Sequence, residues 1–148
     1  MGLSCSCGVR SRPTATTLSI TLNFVDGGLR SGPLIITVDA CTDRLELSTI
    51  SVSFDDQSGL LPNKSFSFTS TSITGISCSD FRDDCAVSIQ GMGLVTGEVT
   101  PRQFGVLLLN RPLPNSSRLQ SLFIPGFVSN NTLGDLTPNL MFFGCPTS

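Results

Sequence analysis

Apolar and polar residues alternate along this chain in short runs. From Leu18 the pattern is strict: Leu18, Ile20, Leu22 and Phe24 share one parity, and Ser19, Thr21 and Asn23 the other. A period of two over such a length predicts a strand with one face buried. Asp26-Gly27-Gly28 reads as a turn, and residues 34–40 predict a second strand. Leu45 and Leu47 lie on one parity, whereas Ile50, Val52 and Phe54 lie on the other. That switch predicts a β-bulge near Ser48-Thr49. Residues 55–63 read as a loop. Phe66 and Phe68 then alternate with serine, and residues 73–78 continue the pattern. Residues 78–85 read as a polar loop between two strands. Val87 and Ile89 resume the alternation, and Gly91-Met92-Gly93 reads as a twist or bulge. Further strands are expected at 104–109, 119–124 and 140–143.

These runs amount to about nine or ten short strands with turn signals between them, and nothing repeats at helical spacing. The expected fold class is all-β, a β-sandwich or jelly-roll-like domain over residues 16–148. Residues 1–15 are small, polar and dotted with arginine, and read as an extended N-terminal connector arm that carries cysteines.

Composition narrows the functions. At 148 residues the chain is long enough for one buried core. Charged residues make up 14%, with net charge −2, which leaves no basic patch to displace counterions from a nucleic acid. Mean hydropathy is positive, but no apolar run approaches the roughly 20 residues of a membrane-spanning helix. There is no histidine, so the commonest general base and metal ligand are missing. Catalysis is disfavoured, and no cofactor or metal is expected. The lack of Trp and Tyr weighs against sugar binding, because sugars stack on aromatic faces.

Six cysteines suit an oxidising setting, although residues 1–8 lack the apolar stretch of a secretory signal. The expected location is therefore extracellular, on a surface such as a spore's, reached without a classical signal. Cys78 and Cys85 flank the predicted loop at two strand ends and are the candidate intrachain disulfide. Cys5 and Cys7 are two residues apart, so their side chains diverge and each needs a partner elsewhere. Cys41 and Cys145 remain for them. If the arm reaches another copy, Cys5, Cys7, Cys41 and Cys145 are candidates for intermolecular disulfides; the alternatives are an arm folded back on its own domain, or one left reduced. Gly2 and Ser6 also fit an acylation pattern. Asp55-Asp56 and Asp80, Asp83 and Asp84 are acidic clusters that read as solvated loops, with calcium as the other reading.

Two resemblances add to this. The run from Ile73 through Cys78, Cys85 and Gln90-Gly-Met-Gly-Leu-Val-Thr-Gly97 to Phe104, closed by Ile124-Pro-Gly-Phe127, resembles a β-domain pattern found in extracytoplasmic and spore-former proteins of bacteria. It spans roughly residues 66–143 and departs at Thr96 and at Leu109-Asn110. It implies an all-β scaffold without activity. The layout of a cysteine-bearing arm before a β-domain resembles the subunits of bacterial endospore appendages. That likeness implies a self-assembling fibre or surface-layer subunit, a homopolymer built by β-sheet augmentation and disulfide cross-links. A virion or phage structural protein and a monomeric surface-binding module are the alternative expectations.

Overall fold

The computed structural model describes residues 5–11, 15–81, 84–111, 116–130 and 134–144. Within them the chain forms β1 (Gly8–Arg10), β2 (Thr16–Phe24), β3 (Gly28–Cys41), a 3-10 helix (Thr42–Leu47), β4 (Thr49–Phe54), β5 (Phe66–Phe81), β6 (Asp84–Val95), β7 (Arg102–Arg111), β8 (Ser116–Ile124), β9 (Val128–Asn130), β10 (Gly134–Leu136) and β11 (Met141–Phe143). The all-β class is as expected. The architecture corrects the sandwich and jelly roll: it is a closed, eight-strand antiparallel barrel. From β2 to β9 each strand pairs with the next, and β9 returns to β2 through Phe24 opposite Val128. β3 carries β2 along one edge and β4 along the other. The sheet therefore never splits into two layers. The last stave continues past β9: β10 pairs with β8, Thr137 bridges Thr17, and β11 pairs with β1.

The alternation read from sequence is the inside–outside alternation of the barrel wall. Leu22, Leu34, Ile36, Ile50, Ile89, Leu108 and Ile124 are fully buried, while Thr17, Ser19, Thr21 and Asn23 face out. An eight-strand barrel has an interior just wide enough for side chains to fill. This apolar-in, polar-out order is the reverse of a membrane barrel's, and no described helix is long and apolar enough to cross a membrane. Gly91 and Gly93 do not separate strands. They lie within β6 and face inward, because a Cβ on Gly93 would stand 2.7 Å from Phe68 Cε2, and one on Gly91 would stand 3.1 Å from Phe104 Cε1.

The predicted bulge at Ser48-Thr49 is also corrected. The parity switch comes from the 3-10 helix between β3 and β4. Its end is fixed by the Ser48 hydroxyl, which donates to Arg44 O (2.8 Å) and accepts from Cys41 N (2.9 Å).

One end of the barrel is closed by aromatic rings. Phe24, Phe54, Phe66 and Phe127 pack with centroids 5.0–6.1 Å apart. Beside them the 4% exposed Arg30 pairs with the 0% exposed Asp56 at 3.0 Å. Arg30 Nη1 also donates to Pro62 O (2.7 Å), which ties the β4–β5 loop to β3. The Asp56 carboxylate accepts from the Ser58 hydroxyl (2.7 Å), from Ser58 N (3.0 Å) and from Lys64 N (2.8 Å). The Ser58 hydroxyl holds its carboxyl well below the usual carboxylate range, and the two amides and Arg30 add to this against the cost of burial. The folded-state pKa is thus depressed, so the stability it contributes is present above the unfolded value near 4 and lost as pH falls below it. Asp56→Asn is expected to lower the melting temperature at pH 7 and to flatten its fall between about pH 4 and pH 2. Melting followed by circular dichroism across that range checks this, and parallel wild-type and variant curves would contradict it.

Candidate functional site: a laced seam and an open edge

The barrel wall has one irregular place. β4 pairs with β5 only from Ser51 opposite Thr69 to Phe54 opposite Phe66. At the next position the ladder gives way, and Ile50 N donates to the Ser70 hydroxyl at 3.0 Å. β3 runs on to Cys41 and β5 to Phe81, so past this point no described strand lies between them. The 3-10 helix sits in this seam beside β5, with Leu45 packed against the core.

The N-terminal segment laces the seam. Cys5 bonds Cys41 at the end of β3, and Cys7 bonds Cys78 on β5. The Cα separations of 5.8 and 5.9 Å suit disulfides. The chain bends at Ser6 and Cys7, and one cysteine reaches each side of the seam. Between them, Ser6 donates to Asp43 Oδ2 from both its amide and its hydroxyl, at 3.0 Å each. Thr42 N donates to Cys7 O at 2.9 Å. A Cβ on Gly8 would stand 2.8 Å from Cys5 Sγ, so only glycine lets β1 lie this close.

Two sequence expectations are corrected here. Cys5, Cys7 and Cys41 bond within the chain, where cross-links between copies were expected, because β1 pairs with β3 and brings the arm back onto its own barrel. Cys78 does not bond Cys85. The predicted loop is a tight continuation of the hairpin, in which Cys78 faces Val87 and Cys85 faces Asp80, so the two cysteines are out of register. Cys85 is itself disulfide-bonded. Cys145, Gly2 and Asp83 lie outside the described residues, as does the side chain of Asp80. Asp84 faces Arg111 at 3.6 Å, and no group of three or more metal-ligating side chains comes together among the described residues. Disulfides form and persist in oxidising surroundings, which is where this fold belongs.

The seam leaves a feature that the sequence reading did not locate. Past Thr69, the edge of β5 that faces away from β6 has no strand partner among the described residues. Thr71, Ser72, Ser77 and Ser79 are exposed on this stretch of β5. Register shifts lie between Ser70 and Ser72 and between Ile73 and Gly75, so the regular unpaired stretch starts at Gly75. A depression of about 490 Å³ between Leu45, Glu46, Thr49 and residues 70–73 opens beside it. No residue from Ser70 to Ser79 is charged, and none is proline. The signal in the sequence was the length of the uncharged Ser/Thr run, which carries no hint of which edge stays open. No family model, curated protein or solved structure matches the chain.

Proposed function

We propose that this protein is a non-catalytic structural module of an oxidising, extracellular setting, and that it assembles with copies of itself by strand addition at the open edge of β5. The observation that carries this reading is the uncharged stretch from Gly75 to Ser79, whose side away from β6 has no strand partner among the described residues and is tied down at Cys78 by the bond to Cys7. Unpaired backbone groups at a sheet edge invite another strand, and proteins that stay monomeric usually blunt such edges with lysine or other charges. Here the bulges twist only residues 70–75 away, and the segment beyond them stays open. Self-association keeps the surface-layer or fibre role expected from the sequence, but gives the arm cysteines another task. They brace the edge within each subunit and do not link subunits.

The test is sedimentation of the oxidised protein. The wild type is expected to associate at micromolar concentrations, with or without reductant-accessible cross-links. Ser77→Lys combined with Ser79→Lys is expected to sediment as a monomer with its melting temperature unchanged within a few degrees. A wild type that stays monomeric at about 100 μM, or a lysine variant that associates as well as wild type, would overturn the reading.

A further inference from the structure

A second surface stands on the outer wall, independent of association at β5. On this face β6, β7 and β8 present a lattice of outward side chains with its centre missing. Gly105 sits in register with Gln90 on one side and Phe123 on the other. Neighbouring strands lie about 4.8 Å apart, so the two side chains stand astride the glycine roughly 10 Å from each other. Gln103, one outward position along β7, pairs with Met92. Together with Thr74 and Pro125 these residues line a depression of about 410 Å³.

The depression is open. A Cβ added to Gly105 would meet nothing within 4 Å. Phe123 therefore does not lean over the glycine to fill the gap, and its ring is 48% exposed. The side chains of Gln90 and Gln103 are exposed and make no hydrogen bond among the described residues. No charged side chain lines the site.

We propose that this depression is a binding site for a neutral saccharide. A sugar ring has an apolar face of C–H groups and a rim of hydroxyls that both donate and accept. Phe123 offers a flat ring for the first, and two primary amides offer paired donors and acceptors for the second. The glycine floor lets the ring approach the sheet. A purely apolar ligand would bury the two amides without partners, which is costly. A phosphorylated or sulfated ligand would need cations that the site lacks. The absence of Trp and Tyr removes the strongest stacking partners and does not remove stacking, since Phe123 stands free. With one ring and two amides, the affinity for a single saccharide unit is about millimolar, and a polymeric glycan engaged by several associated copies would be held more tightly.

The experiment titrates the oxidised protein, labelled with nitrogen-15, with neutral oligosaccharides (cellohexaose, chitohexaose and a mannan hexamer) and with a sulfated oligosaccharide as control. At least one neutral oligosaccharide is expected to shift the side-chain amide signals of Gln90 and Gln103, with no response to the sulfated one. Phe123→Ala, at an exposed position, and Gly105→Leu, which fills open space, are each expected to weaken binding at least tenfold with an unchanged fold by circular dichroism. If Gly105→Leu fails to fold, Phe123→Ala alone decides. Silence with all three neutral probes, a response to the sulfated probe only, or shifts that survive the variants would overturn the proposal. Because β5 edge variants leave these residues untouched, failure here and failure of self-association are separate results.

Discussion

Replacing Cys7 and Cys78 together by serine is expected to destabilise the protein by about 4 kcal/mol, the figure for an unfolded-state loop of the observed 71-residue separation. For a chain of 148 residues that corresponds to a fall in melting temperature of roughly 10–15 °C. The matching Cys5 and Cys41 pair closes a separation of 36. It is expected to cost less by roughly 0.6 kcal/mol, since loop-closure entropy grows only with the logarithm of length. Removing both partners leaves no lone thiol to reshuffle. The Cys7–Cys78 bond also spans the seam, so its loss frees β5 on the side where no strand supports it. Thermal melts under non-reducing conditions check the ranking. A fall of only a degree or two would mean that the 3-10 helix and Leu45 hold the seam without the lace.

Phe68→Ala is expected to cost about 3–5 kcal/mol, as for other large aromatic side chains removed from a core. Phe68 is 1% exposed, stacks edge-on with Phe104 at 5.2 Å, and its ring occupies the space left by Gly93. Gly93→Ala places a methyl against that ring and is expected to cost about 1–3 kcal/mol through overpacking. The two changes touch, so they should not add. With the ring gone, only the close approach to Thr69 O (2.8 Å) remains, so Gly93→Ala is expected to cost clearly less in the Phe68→Ala background than in the wild type. Equilibrium denaturation of the four proteins gives the coupling. Additive costs would show that the ring and the glycine are not packed as described.

The sequence disclosed the wall of the barrel far better than its closure. Leu18, Ile20, Leu22 and Phe24 read as one buried face, and they are one, because period-two patterning depends only on which side of a strand meets the core. Whether that core lies between two sheets or inside one curled sheet depends on Phe24 meeting Val128 and Thr17 meeting Thr137, pairings between distant residues that alternation does not encode. The 3-10 helix was hidden for a related reason. Leu45 and Leu47 are spaced as in a strand, and only the hydrogen bonds of Ser48 at its end distinguish the turn. The cysteines show the same division. That Cys5 and Cys7 would each bond a distant cysteine was legible from their spacing, whereas the choice of Cys78 over Cys145 as a partner required knowing that β1 lies near β5. The depression over Gly105 was invisible in the sequence, since a glycine in an apolar strand says nothing about which residues flank it on neighbouring strands.

The up-and-down order of the strands has a consequence for a chain made from its N-terminus. Each hairpin can form as soon as it leaves the ribosome, because its partner is the segment made just before it. The final fastening of β1 and β2 to residues 128–143 spans most of the polypeptide, and loops of that span close slowly. Until those last residues emerge, the nascent protein is a curled sheet with two bare margins, and neighbouring nascent chains on one messenger could pair along them. A protein of this design would be most vulnerable to misassembly during translation, and least so once its ends have met.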